Sequence, residues 1–220
     1  MRSLFSFLLA MVWASAGLAC DRPVCAVAPE DLQLARVVTF DNIPSSFGIG
    51  RKIDGILEQD GVRFGERFVG QSFSNEAGFD RVTGAARAPL TLLPGAPNET
   101  LGILRLMRTS VLQGHGPTQY PRADAVGEGA IAVAFDTDQS AIALDIRGGE
   151  MGYATLSFLR RDGSTIDTHR IGPLGEASYA FQRNPDTQDI AGLVLTNDDP
   201  EGIALDNLRF DQIQILGLLQ

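Results

Sequence analysis

The stretch "GAIAVAFDTDQSAIALDIRG", residues 129–148, decides the fold class of this chain. Both of its halves alternate large apolar residues with alanine, and a period of two is typical of an extended strand with one buried face. The large residues are Ile131, Val133 and Phe135 in the first half and Ile142, Leu144 and Ile146 in the second. Only residues 137–140 separate the halves, which predicts that they pair as an antiparallel hairpin.

A second hairpin is predicted in "GYATLSFLRRDGSTIDTHRI", residues 152–171, around the turn-forming pair Asp162-Gly163. Its first strand alternates in the same way, so one set of side chains is expected to face the core and the other set to face outward. The inward set is Ala154, Leu156 and Phe158, and the outward set is Tyr153, Thr155 and Ser157.

Short strands of this kind recur along the whole chain. Further strands are predicted at residues 36–42, 60–68, 101–107, 177–183, 189–197 and 202–210. Gly and Pro separate them, and no amphipathic helix of useful length lies between. The pattern predicts an all-β fold, an antiparallel two-sheet sandwich of the jelly-roll type, with a barrel as the alternative.

The first nineteen residues, "MRSLFSFLLAMVWASAGLA", have the form of a secretory signal peptide, with one early positive charge, an uncharged apolar run and small residues at the end. We therefore expect an exported protein that is periplasmic, secreted or anchored to the envelope, with no transmembrane segment in the mature chain. The expected organisation is a signal peptide at residues 1–19, an N-terminal segment at 20–35 and a single sandwich domain at 36–220.

Both cysteines, Cys20 and Cys25, lie in the N-terminal segment. Two thiols in an exported protein usually oxidise, and four intervening residues can close a small loop. However, "AGLAC" at residues 16–20 also loosely resembles a bacterial lipobox, in which Cys20 would carry a lipid anchor, with Gly17 where that motif usually has leucine. A disulfide and a lipid anchor at Cys20 are both open predictions.

The charge of the chain excludes one class of partner. It has 18 basic and 27 acidic residues, a formal net charge of −9, and Lys52 is its single lysine. Binding to a phosphate backbone relies on a basic stripe, so we expect no nucleic-acid partner. The only tryptophan, Trp13, lies in the predicted signal peptide, so the mature chain has none.

The small face of residues 129–148 consists mostly of alanine. Such a face is either covered closely by another segment, for which the irregular region 71–126 is the candidate, or left as a shallow trough. A trough would suit an extended ligand, with Tyr153, Thr155 and Ser157 on a neighbouring strand as polar contacts. A glycan is the ligand expected for a secreted sandwich, although aromatic rings for stacking on sugars are few in this chain.

The tetrapeptide Ile-Ala-Leu-Asp occurs twice, at residues 142–145 and 203–206. After the first copy the alternation continues in phase, but after the second the apolar positions slip by one residue to Leu208 and Phe210. This slip predicts a β-bulge at Asp206-Asn207, which would return the apolar side chains to the core. With straight pairing, Asp206 would instead share their face and need a partner.

With "VVTFDN" near its start, "GIALDNLRF" near its end and short strands between, the chain resembles the secreted bacterial β-sandwiches of the galactose-binding or carbohydrate-binding jelly-roll type. That resemblance implies a structural calcium ion where the first and last strands lie together. Its ligands would be Asp41 and Asp206, with Asn42 and Asn207 beside them. Carboxylate and amide oxygens are the ligands that calcium prefers.

Signatures of an enzyme are few. No G-x-S-x-G nucleophile motif is present, and His115 and His169 are too few for a three-histidine metal site. We therefore expect a non-catalytic sandwich that binds an extracellular ligand, most simply a glycan. The alternative is a structural or protein-interaction module of the cell envelope, anchored through Cys20 if it is a lipoprotein. A weaker alternative is a polysaccharide hydrolase or lyase with a carboxylate or His115 facing a cleft.

Overall fold

Residues 20–183 and 187–212 are described by a computed structural model of the protein, and the predicted signal peptide lies outside them. Within these ranges the chain forms eighteen strands and two 3₁₀ turns, Pro29–Asp31 and Ala123–Ala125. The strands are β1 (Val24–Val27), β2 (Leu34–Val38), β3 (Arg51–Ile53), β4 (Leu57–Gln59), β5 (Val62–Gly65), β6 (Arg67–Phe68), β7 (Ser72–Glu76), β8 (Phe79–Thr83), β9 (Leu92–Leu93), β10 (Leu101–Arg105), β11 (Ser110–Gly114), β12 (Ile131–Gln139), β13 (Ala141–Gly148), β14 (Ala154–Leu159), β15 (Thr165–Ile171), β16 (Ala177–Arg183), β17 (Ile190–Asn197) and β18 (Ile203–Gln212). None of the helical turns in the described ranges has the length and apolar character needed to cross a membrane.

Two antiparallel sheets of the described strands form the sandwich, as predicted. The large sheet has the order β1-β16-β13-β18-β11-β10-β3, with β2 also paired to β18. The small sheet has the order β15-β14-β17-β12-β5-β4, and two short ladders, β6-β9 and β7-β8, lie beside it. The all-β class and the antiparallel sandwich are therefore confirmed, while the jelly-roll type stays a prediction.

The core lies between the two sheets and is built from the large faces that the alternation predicted. Aromatic rings join the sheets directly, with Phe135 of β12 5.5 Å from Phe210 of β18 and Phe158 of β14 5.2 Å from Phe181 of β16, measured between ring centroids. All four rings are fully buried. Burying a phenylalanine side chain stabilises a fold by about 1.5–3 kcal/mol, so these contacts hold the two layers together.

The hairpin predicted in residues 129–148 is wrong, although both of its strands exist. β12 belongs to the small sheet, where it pairs with β17 and β5, whereas β13 lies in the large sheet between β16 and β18. β12 continues to Gln139, so Ser140 alone links the two strands. Because the common hairpin turns need at least two residues, the chain crosses from one sheet to the other, and the two large faces meet across the core. The second predicted hairpin is confirmed, since β14 and β15 pair around Asp162-Gly163.

β2, the first strand predicted from the sequence, pairs with the last described strand, β18, in the large sheet. β18 pairs with β13 along one side, and with β11 and then β2 along the other. β1 pairs with β16 at the edge of the same sheet. The sandwich therefore begins before residue 36, which was the predicted boundary, and Cys25 of the N-terminal segment lies within it.

The alanine face of β12 is covered, which is one of the two arrangements that the sequence left open. Ala132 and Ala134 point away from the main core and pack in a second apolar cluster with Phe68 and Leu90. We call the covering segment, residues 66–93, the cap. It includes the β6-β9 ladder and the β7-β8 hairpin, so the irregular region holds more strands than its sequence predicted.

Candidate functional site

A groove opens beside the cap on the outer face of the small sheet. It has a volume of about 410 Å³ and is lined by β8, β14, β15, β17 and adjoining turns. Tyr153, Thr155 and Ser157, the three predicted ligand contacts, all lie in its lining. The trough was predicted over the alanine face, but the cap covers that face of β12, and the groove lies over β14 and β17 instead.

Hydroxyl groups form much of the lining. Thr155 and Ser157 project outward because β14 alternates, which leaves Leu156 buried in the core between them. Thr155 lies opposite Thr196 of β17, and Thr165 of β15 adds a further hydroxyl to the groove. Each hydroxyl can both donate and accept a hydrogen bond, so this surface suits a ligand that carries hydroxyls of its own.

Tyr153 is held in place immediately before β14. Its backbone N–H donates to Asp198 Oδ1 at 2.7 Å, and its carbonyl accepts from the Asp198 N–H at 2.9 Å. The Arg170 guanidinium lies 3.6 Å from the centroid of the tyrosine ring and 3.6 Å from Asp198 Oδ2. The result is a stacked, partly exposed Arg-Tyr pair at the groove, with Tyr153 36% exposed.

Arg81 of β8 connects the cap to the groove. Its Nη1 donates to the Asn197 carbonyl at 2.9 Å, and its Nε donates to Glu76 Oε2 at 3.2 Å. These contacts tie the β7-β8 hairpin to the end of β17. With Gln71 and Asp198 also in the lining, the groove presents guanidinium, amide and carboxylate groups beside its hydroxyls.

The predicted bulge after the second Ile-Ala-Leu-Asp copy is present. The pairing register between β13 and β18 shifts next to Asp206, and Asn207 adopts a φ of 43°, in the left-handed region. The extra residue turns Asp206 to the outer face of the large sheet and returns Leu208 and Phe210 to the core, where both are buried.

The aspartates of the two copies meet across the sheet, because Asp145 lies directly opposite Asp206. Asp145 accepts hydrogen bonds from Ser178 Oγ at 2.6 Å, from Asn207 Nδ2 at 2.8 Å and from the Arg209 guanidinium. Burial raises the pKa of Asp145, but the hydrogen bonds from Ser178 and Asn207 and the charge of Arg209 outweigh it, so the pKa is held below its ordinary value.

The predicted calcium ligands are already occupied by protein donors. Asp206 is fully buried, and its Oδ2 accepts from Arg147 Nε at 3.2 Å and from Thr109 Oγ1 at 3.3 Å. Asp41 Oδ1 accepts from the Ser110 N–H at 2.6 Å. This donor set does not fit a calcium ion, because the ion would have to displace a guanidinium and an N–H group. Calcium at these residues stays a prediction that a melting experiment can test.

The N-terminal segment is tied to the sandwich by a disulfide and by Asp167. Cys20 and Cys25 are joined, with their Cα atoms 5.9 Å apart, so in this state the Cys20 sulfur cannot also carry a lipid. Arg22 Nη2 lies 2.6 Å from Asp167 Oδ1, and the Val24 N–H donates to Asp167 Oδ2 at 3.3 Å. The hydrogen bond from Arg22 holds the pKa of Asp167 well below its usual range.

The two histidines lie in separate surroundings, and neither lines the groove. His115 is fully buried, its Nδ1 lies 3.1 Å from the Thr100 carbonyl oxygen, and burial lowers its pKa. His169 packs against the rings of Phe158 and Phe181. The hydrolase alternative needs a carboxylate or His115 facing a cleft, and the structure places His115 in the interior.

The burial of Glu66 and of Asp80 was not predicted from the sequence. Burial raises the pKa of Glu66 to about 10 and that of Asp80 to about 6. A signal for Glu66 was present in "GVRFGERF", where Glu66 falls in phase with Val62, Phe64 and Phe68. An acid at that position in an apolar alternation indicates a buried carboxyl group.

Comparison of the chain with protein-family models, with curated proteins and with solved structures found no match. The geometry of the molecule itself is therefore the basis for a functional proposal.

Proposed function

We propose that this protein is a non-catalytic, exported β-sandwich that binds a glycan in the groove beside the cap. The observation that supports the proposal is the placement of Tyr153, Thr155 and Ser157 together in a groove of about 410 Å³. A sugar presents hydroxyl groups around its ring and apolar C–H groups on its faces. A row of hydroxyls beside a partly exposed tyrosine matches both features. The proposed export rests on the form of residues 1–19.

The lining favours a polar ligand over an apolar one. Sites for apolar molecules are lined predominantly by hydrophobic side chains. Of the lining residues described, Val82, Leu159 and Val194 are aliphatic, and most of the others carry a polar group. Outward residues on one strand repeat about every 6.6 Å, so the groove offers successive hydroxyls to an extended chain of sugar units.

The binding test uses the mature chain, residues 20–220, on a glycan array and in pull-downs with insoluble polysaccharides. Once a bound glycan is found, Thr155→Val removes one hydroxyl and keeps the β-branched shape. We expect it to weaken binding about 2- to 10-fold, because a hydrogen bond contributes about 0.5–1.5 kcal/mol. Tyr153→Ala should weaken binding by at least about 10-fold. The matched control Thr137→Val, at an exposed position outside the groove, should bind as the wild type does.

Two results would count against the proposal. Uniformly negative arrays and pull-downs would rule out the proposal that the ligand is a glycan. Glycan binding that is unchanged in both groove variants would show that the glycan binds at another surface. Cross-linking in the envelope fraction addresses the alternative of a protein-interaction module. A partner protein whose capture is lost in Tyr153→Ala but kept in Thr137→Val would favour that alternative.

A further inference from the structure

Glu66 has a buried carboxyl group to which no described residue donates a hydrogen bond. It lies between β5 of the small sheet and β6 of the cap, and none of its surface is exposed. Neither Oε1 nor Oε2 has a hydrogen-bond partner among the described residues. Buried polar groups in native proteins are nearly always paired, so a carboxyl group with two unpaired oxygens points to a binding site for a cation or a proton.

A backbone carbonyl points at the same place. A Cβ atom added to Gly95 would lie 1.7 Å from Glu66 Oε2 and 1.9 Å from the Glu99 carbonyl oxygen, so these two oxygens are within about 3.6 Å of each other. Both are acceptors, and they approach this closely because residue 95 has no side chain. Oxygens that share one calcium ion at about 2.3–2.6 Å lie at comparable separations.

The surroundings are negative on balance. Asp80 of β8 is 3% exposed, and its charge, with that of Glu99, disfavours ionisation of Glu66, while Arg67 favours it. Asp80 Oδ2 accepts from the Ala130 N–H at 3.2 Å, which directs this side chain to the start of β12. An ionised Glu66 therefore lies in a negative environment, which a bound cation would offset.

We propose that Glu66 and the Glu99 carbonyl oxygen bind a calcium ion. No three His, Cys, Asp or Glu side chains within residues 20–183 and 187–212 form a metal site by themselves. Calcium does not require that, since it takes six to eight oxygens and accepts backbone carbonyls and water among them. The ion would join the start of the cap to the chain after β9. This site is separate from Asp41 and Asp206, and it is independent of the proposed glycan groove.

The alternative occupant is a proton. A protonated Glu66 could donate to the Glu99 carbonyl, since burial, with the charges of Asp80 and Glu99, raises the pKa of Glu66 to about 10. The two occupants respond differently to Glu66→Gln. Glutamine replaces a protonated acid well, because its amide can donate to the same carbonyl, but it removes the charge that a calcium ion needs.

The test uses the mature protein stripped with EGTA, followed by calorimetric titration with CaCl₂ and by thermal melts with and without CaCl₂. The wild type should bind calcium and melt at a higher temperature as its concentration rises. Glu66→Gln should weaken calcium binding by at least about 10-fold and abolish the shift in melting temperature. The control Glu76→Gln alters a cap carboxyl whose side chain is 70% exposed, and it should retain the full calcium response.

Three outcomes would overturn the proposal. The first is a wild type with no calcium heat and no melting shift. The second is a Glu66→Gln protein that keeps the wild-type calcium response. If Asp206→Asn then abolishes that response, calcium binds at Asp206 instead. In the third, neither protein responds to calcium, and Glu66→Gln is as stable as the wild type stripped with EGTA. That result would show that Glu66 is protonated rather than bound to calcium. If Glu66→Gln does not fold, Glu66→Asp takes its place, because it keeps the charge but shortens the side chain by one methylene group. Calcium affinity unchanged in Glu66→Asp overturns the proposal.

Discussion

The bulge at Asn207 offers a stability experiment in which two physical effects can be separated. Asn207 has a φ of 43°, and its Nδ2 donates to Asp145 Oδ2 at 2.8 Å. Asn207→Gly removes the hydrogen bond but adopts this backbone conformation freely, whereas Asn207→Ala removes the hydrogen bond and also strains the backbone. Losing a hydrogen bond to a charged group costs about 1.5–3 kcal/mol, and a left-handed alanine costs about 1–2 kcal/mol more than glycine. We therefore expect the free energy of unfolding to fall in the order wild type, Asn207→Gly, Asn207→Ala.

Urea denaturation followed by far-UV circular dichroism measures these differences. With a slope of about 2 kcal/mol/M, a loss of 2 kcal/mol lowers the urea midpoint by about 1 M. Ala77→Gly is the matched control, because Ala77 has a φ of 56° in the exposed turn of the β7-β8 hairpin. It should be neutral or raise stability by up to about 1 kcal/mol. Equal stability of Asn207→Gly and Asn207→Ala would refute the left-handed bulge, and a Gly variant as stable as the wild type would show that the bond to Asp145 contributes nothing.

Three further predictions concern the cap, the N-terminal segment and the buried aspartate. Phe68→Ala should lower the free energy of unfolding by about 3–5 kcal/mol in urea denaturation, because it leaves a cavity over the alanine face, and a loss below 1 kcal/mol would contradict the close packing of the cap. Asp167→Asn should lower the melting temperature at neutral pH, because Arg22 holds the folded-state pKa of Asp167 below its unfolded value. The stability that the ionised Asp167 contributes is complete above about pH 4 and is lost as the pH falls further, so the melting temperatures of wild type and variant should converge in acid. A difference that stays constant with pH would argue against the ion pair. Asp206→Asn should destabilise the protein equally with calcium and with chelator, because Arg147 loses its carboxylate in both, whereas destabilisation seen only in calcium would restore Asp206 as a calcium ligand.

The faces of individual strands were predictable because they depend on local alternation. Tyr153, Thr155 and Ser157 were predicted to face outward, and all three lie in the groove. The bulge at Asp206-Asn207 was predictable for the same reason, since a slip of one residue in the apolar pattern must be absorbed within the strand.

The pairing of strands was not predictable in the same way. β12 and β13 carry nearly identical patterns, and either a hairpin or a crossing between sheets would bury their large faces. The extension of β12 to Gln139 decided the matter, because it left Ser140 as the whole connection. The meeting of Asp145 with Asp206 could not be foreseen either, since it follows from β13 lying beside β18.

By itself, the sequence determined the all-β class, the inward and outward faces of the strands and the position of the bulge. Each of these follows from backbone geometry that repeats every two residues. The tertiary structure alone decided which sheet each strand joins, how the cap covers β12 while leaving a groove over β14, and how Glu66 comes to face the Glu99 carbonyl. Those contacts join segments that are distant in sequence, and burial of apolar surface, which drives them, has no direction that a local pattern could encode.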